Sequence, residues 1–149
     1  MSLGGGGGGQ MQELAAQLEE LEEQQGAIQA EIERLQGEKQ EINEAIGAIE
    51  ELESGAEVQV PLGGGAYVQA EIQDIDEITV TLGTDYAAER EREGAVDTLE
   101  SKQDTLDDRI DDLRSNLGEL ETESEELEQR IEQAQAQQMQ QLQQQQQNE

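Results

Sequence analysis

Two stretches of this chain carry an apolar seam with the same period and length, a pattern that restricts each to one long helix needing a partner. In the first, Met11, Leu14, Leu18, Leu21, Ile28, Ile32, Leu35, Ile42, Ile46 and Ile49 follow one another at alternating steps of three and four, with polar Gln25 and Lys39 holding the register between them. In the second, the same rhythm runs through Val96, Leu99, Leu106, Ile110, Leu113, Leu117, Leu120, Leu127, Ile131 and Ala134, interrupted by Gln103 and Ser124. Such spacing keeps one narrow stripe of each helix apolar, as a coiled coil requires. From Met11 to Glu53 and from Val96 to Gln138, each seam covers 43 residues.

Equal length predicts that the two helices fold back on each other as an antiparallel pair. Gln25 lies 28 residues before Glu53, and Ser124 lies 28 residues after Val96, which puts these polar seam positions at the same height. Charge placement points the same way. Lys102, Arg109, Arg114 and Arg130 all flank the second seam, and Glu22, Glu31, Glu38 and Glu50 flank the first, where opposite charges stabilise a pairing.

Between the helices the period changes to two. Val58, Val60 and Leu62 alternate with polar residues up to Gly63-Gly64-Gly65; Tyr67, Val68, Ala70 and Ile72 follow; Ile78, Val80 and Leu82 alternate again before Gly83. These segments read as short strands in hairpins with one apolar face. The fold class expected is therefore α+β: a long antiparallel coiled-coil hairpin with β-hairpins inserted between its helices. The boundaries are a flexible Gly-rich segment over 1–10, helices over 11–54 and 90–138, the strand insert over 55–89 and a disordered Gln-rich tail over 139–149. With both helices occupied by each other, the strand faces have no cover within the chain. Isolated hairpins are marginal in water, so oligomerisation is expected, the strands completing a shared sheet or barrel.

Composition narrows the function. There are 37 Asp and Glu against 8 Lys and Arg, a formal net charge of -29, and no Cys, His, Phe or Trp. Thiolate chemistry, disulfides and zinc fingers are thereby removed, and the commonest general base is missing. The acid excess repels phosphate backbones, so no nucleic-acid partner is expected. No apolar run reaches the length of a membrane span, and Met1-Ser2-Leu3 followed by glycines is no secretory signal, so a cytoplasmic protein is expected. At molar ionic strength the Debye length falls to about 3 Å, which would screen the self-repulsion of such a chain; the composition reads as that of a salt-accumulating cytoplasm.

The run Val58-Gln59-Val60-Pro61-Leu62-Gly63-Gly64-Gly65-Ala66-Tyr67-Val68-Gln69-Ala70, followed by Ile78-Thr79-Val80-Thr81-Leu82-Gly83, resembles the prefoldin family in its archaeal alpha type, and the order helix, strands, helix resembles it over the whole chain. The resemblance implies an ATP-independent chaperone subunit with two hairpins, the fourth strand at Thr84 to Glu89. It implies a hexamer of two alpha-type and four beta-type subunits built on a double β-barrel, with Val58, Val60, Leu62, Tyr67, Val68, Ala70, Ile72, Ile78, Val80 and Leu82 in the oligomerisation strands. It further implies that arm ends hold unfolded client proteins and pass them to a group II chaperonin. Here those ends carry Met11, Leu14, Leu18, Ala134, Met139 and Leu142. Leu14 and Leu18 also finish the seam, whereas Met139 and Leu142 drift off it. Met side chains adapt to varied apolar ligands.

Other motifs carry little chemistry. Gly63-Gly64-Gly65 lacks the Lys-Ser/Thr of a phosphate loop and reads as a turn. Asp104, Asp107, Asp108, Asp111 and Asp112 lack the loop and glycine of a calcium-binding EF-hand and read as a solvated face. Asp74 and Asp76 fall where turns favour Asp. No catalytic residue, metal ligand or cofactor is expected, and the chain is read as no enzyme. A structural coiled-coil scaffold is the alternative function.

Overall fold

The computed structural model describes residues 5–83 and 85–147. The element order is α1 (Gly5–Glu51), β1 (Glu57–Gly63), β2 (Ala66–Glu71), β3 (Ile78–Thr81), β4 (Ala87–Arg90) and α2 (Arg92–Gln147). β1 pairs antiparallel with β2, and β3 with β4, as two separate two-stranded sheets. The chain divides into two compact units, Leu35–Arg109 and Met1–Arg34 with Ile110–Glu149.

In the unit Leu35–Arg109, the inner parts of the helices run antiparallel. Gln103 Nε2 donates to the Lys39 carbonyl at 3.3 Å, and Lys39 pairs with Asp107, while just past the end of α1 the Leu52 carbonyl and Glu53 carboxylate meet Arg92. Leu35 retains only 1% of its surface exposure, as a seam residue should. The Asp107 side chain stays about half exposed on the acidic face, where Lys39 reaches out of the seam to its carboxylate.

The first hairpin turns through Gly63, Gly64 and Gly65 at φ of 100°, 60° and 82°, the left-handed region that residues with a Cβ avoid. Opposite pairs Val58–Ala70 and Val60–Val68 share one face, and Pro61–Tyr67 the other. The register slips between Pro61 and Gly63, leaving Leu62 as the extra residue of a bulge. Pro61 has no N–H for the ladder and sits beside this irregularity, where strands tolerate proline.

The second hairpin differs from expectation. Its fourth strand forms at Ala87–Arg90, slightly later than the expected Thr84 to Glu89, and Thr84 lies outside the described residues. Its apolar face is also not left bare. Val80 (5% exposed) packs in one cluster with Ile46, Ala95 and Leu99, joined by Ile42, Ala45, Ile49, Ile78 and Val96. The reason lies beside the seam: Ala45 and Ala95 each precede a seam residue, Ile46 and Val96, and widen the apolar stripe enough to hold a sheet as well as the other helix. The expectation that no helix could cover the strands holds for the first hairpin and fails for the second.

In the unit Met1–Arg34 with Ile110–Glu149, Ile32, Ile110 and Leu127 are buried along the seam. Ser124, 8% exposed, is buried among them because Gln25 Nε2 donates to its Oγ at 2.6 Å and to the Leu120 carbonyl at 3.2 Å. A buried hydroxyl and amide satisfy each other here instead of costing desolvation. The polar pair expected at one height is thus a bonded layer.

The outer boundaries also differ. α1 begins at Gly5, within the segment expected to be flexible, and α2 continues to Gln147, through the tail expected to be disordered; the remaining residues of those segments, 1–4 and 148–149, lie outside the described residues. For α2 the cause is plain: no Gly or Pro occurs after Gly118, and Gln is a good helix former.

Candidate interaction surfaces

Two groups of residues were expected to make contacts with other molecules, and their exposure separates them further. On the first hairpin, exposure rises from base to turn. Val58, Ala70 and Ile72 are half-buried, whereas Val60, Leu62, Tyr67 and Val68 are exposed. The turn end of β1–β2 therefore presents apolar side chains on both faces, since Val60 and Val68 lie opposite Tyr67 in the pleat. On the second hairpin Ile78 and Val80 are withdrawn into the chain's own core, and Leu82 and Tyr86 remain exposed beside the turn. Leu82 borders a groove with Ile42, Thr98, Lys102 and Leu106.

The joint between helices and strands is tied by residues whose role the sequence did not reveal. The Arg92 guanidinium meets the Leu52 carbonyl and the Glu53 carboxylate, so the first residue of α2 holds the end of α1. The Asp76 carboxylate accepts the Arg92 backbone N–H at 3.4 Å, placing a negative charge on the positive end of α2. Asp74 does what was expected of it, accepting the Asp76 N–H at 3.0 Å in a local turn. Ser54 Oγ accepts the N–H of Ile75 at 3.1 Å, and Gly55, at φ 89°, donates to the Ile72 carbonyl at 2.7 Å. These contacts link segments some 16 to 40 residues apart, so no local spacing announces them.

In the other unit, Met11, Leu14, Leu18 and Ala134 are half-buried in the outer seam, whereas Met139 and Leu142 are 65% and 59% exposed. The six residues proposed for the arm ends thus fall into a packed set and a free pair. Among the described residues there is no cluster of three metal-ligating side chains, and no helix is long and apolar enough to cross a membrane.

The profile of the prefoldin-subunit family matches residues 21–147. The chain belongs to the prefoldin family. Its relatives include prefoldin alpha subunits of Haloarcula marismortui, 59% identical over 63% of this chain and 61% of that one, and of Halobacterium salinarum, 48% identical over 69% and 67%. The chain spans about three fifths of the Haloarcula relative, and its match to the alpha subunit of Halorubrum lacusprofundi covers 43% of that protein. Among solved structures it is similar to a chain of filamentous PFD from Methanocaldococcus jannaschii, at TM-score 0.52 and 26% identity over 78% of this chain and 93% of that one. It also shares its fold with the prefoldin beta subunit from Thermococcus strain KS-1, at TM-score 0.56 and 23% identity over 84% and 91%. Two long helices joined by two hairpins are the prefoldin-subunit fold, and prefoldin subunits are not enzymes.

Proposed function

We propose that this prefoldin-family chain is the alpha-type subunit of an ATP-independent chaperone in the cytoplasm. Its strands join those of beta-type subunits in a β-barrel platform, in a hexamer of two alpha and four beta subunits. The outer helix ends capture unfolded client proteins and deliver them to a group II chaperonin. The observation that carries this reading is the pairing of two unspent apolar surfaces within a shown family fold: Val60, Leu62 and Val68 at the first hairpin, and Met139 with Leu142 near the end of α2. An exposed hairpin with apolar side chains on both faces is suited to strand addition rather than to solvent. A capture surface that works without nucleotide needs adaptable apolar side chains, which Met139 and Leu142 supply near the end of α2.

The test is a chaperone assay on the complex that co-purifies with this chain in molar salt. A smaller beta-type subunit in excess and suppressed aggregation of an unfolded protein without ATP are expected. A chain that purifies alone and leaves aggregation unchanged overturns the proposal in favour of a scaffold.

A further inference from the structure

All charged side chains before the terminal Glu149 lie between Glu13 and Glu132, so residues 1–12 and 133–148 carry none in a chain with 45 Asp, Glu, Lys and Arg. Among the described residues, 9–12 and 133–147 fall toward the same end of the antiparallel pair. Gln25 meets Ser124, and moving 15 residues outward on each helix of an antiparallel pair sets Gln10 opposite Met139. Leu142 lies off the seam near the end of α2 and is 59% exposed, as is Met139 at 65%. What remains is a helix surface of glutamine amides around two apolar side chains, set at the end of an otherwise acidic pair.

We infer that this neutral end is where non-native polypeptides of net negative charge are admitted. The inference rests on the capture reading above and names the client class. An acidic chain approaching the helices between Glu13 and Glu132 meets like charge, and any close contact there must also strip water from carboxylates, a cost that salt does not screen. At the end, Met139 and Leu142 supply apolar contact, and the glutamine amides, each both donor and acceptor, pair with the free backbone groups of an unfolded segment. Neither interaction depends on the sign of the client's charge.

The test uses the full chain with its co-purified subunits at one fixed salt concentration. The probes are labelled reduced, carboxymethylated α-lactalbumin, which is acidic, and the same protein with its carboxyl groups amidated. Gln140→Glu with Gln143→Glu is expected to weaken binding of the acidic client by about three-fold or more, and Gln140→Lys with Gln143→Lys to hold or tighten it, with the order reversed for the amidated client. Ser115→Glu with Asn116→Glu adds the same charge at exposed positions far from the end and is expected to change neither. Equal affinities across the end variants, or an equal loss in the Ser115 and Asn116 variant, overturn the inference while leaving capture itself intact. If the end variants alter only association between complexes in sedimentation, the neutral end is a self-association surface and the inference fails. If the parent binds neither client, the chaperone reading fails and the inference with it.

Discussion

Val80 and Val60 occupy equivalent sites on the two hairpins, yet one is 5% and the other 41% exposed, and a methyl-for-hydroxyl exchange exploits that difference. Val→Thr keeps the β-branch and the volume, so strand preference and cavity effects stay small. At position 80 the new hydroxyl enters the cluster of Ile46, Ala95 and Leu99, none of which has a side-chain partner to offer. An unpaired buried hydroxyl costs about 1–3 kcal/mol, and the lost methyl removes about 0.8 kcal/mol of burial. Val80→Thr is therefore expected to destabilise the chain by about 2–3 kcal/mol. At position 60 the hydroxyl reaches water, and the expected cost is below about 0.5 kcal/mol. The assay is urea unfolding followed by far-ultraviolet circular dichroism, at fixed salt and chain concentration. With a slope of about 2 kcal/mol per molar, Val80→Thr moves the midpoint by about 1 M and Val60→Thr by about a quarter of that or less. Adding the beta-type partner raises the cost at Val60 and leaves that at Val80 unchanged. Equal small shifts in the isolated chain would refute the docking of the second hairpin on its own helices.

Other outcomes follow from the same geometry. Since the chain has no cysteine, Gln25→Cys with Ser124→Cys introduces its only thiols; mild oxidation is expected to close them into a fast-migrating band on non-reducing gels, whereas Gln25→Cys with Leu117→Cys, one heptad away, stays open. Ser124→Ala alone removes one of the two acceptors of the Gln25 amide, leaving the Leu120 carbonyl, and costs about 1 kcal/mol or less, measured by the same unfolding assay. Arg92→Ala frees the Leu52 carbonyl and leaves Glu53 unpaired, lowering stability by about 1–2 kcal/mol, and Arg92→Lys recovers part of the loss. With a net charge of -29, helical signal and thermal midpoint are expected to rise with sodium chloride from about 0.1 M to 1 M, although the Lys39–Asp107 pair weakens over that range; a flat response would show that repulsion does not limit folding. Met139→Ser with Leu142→Ser leaves stability within about 0.5 kcal/mol of the parent and reduces client binding.

Much of the fold was written in local periodicity. Steps of three and four gave both helices, and the switch to alternation gave the strands, because each period is a direct consequence of helix or strand geometry. The Gln25–Ser124 layer was legible for a similar reason: two polar exceptions in two matched seams can be counted to the same height. The docking of Val80 was not, since it depends on Ala45 and Ala95 beside the seam, and an alanine in a helix looks the same whether it faces a sheet or water. Arg92 escaped for another reason. Its partners at Leu52 and Glu53 lie about 40 positions away, and nothing in the residues around a lone arginine distinguishes a clamp from a surface charge. The lengths of the outer helices were obscured by composition, because glycine and glutamine runs resemble linkers whether or not a hydrogen-bond ladder passes through them.

The two tyrosines give the molecule a built-in division of signals. Tyr67 lies in β2 and Tyr86 beside β4, 63% and 67% exposed, and no Trp or Phe stands anywhere in the chain. All aromatic absorbance and emission therefore originates in the hairpins, one fluorophore in each, while the helices are optically silent in that region of the spectrum and dominate the far-ultraviolet. Strand joining and helix events can be followed at the same time in the unmodified protein, each through its own wavelength.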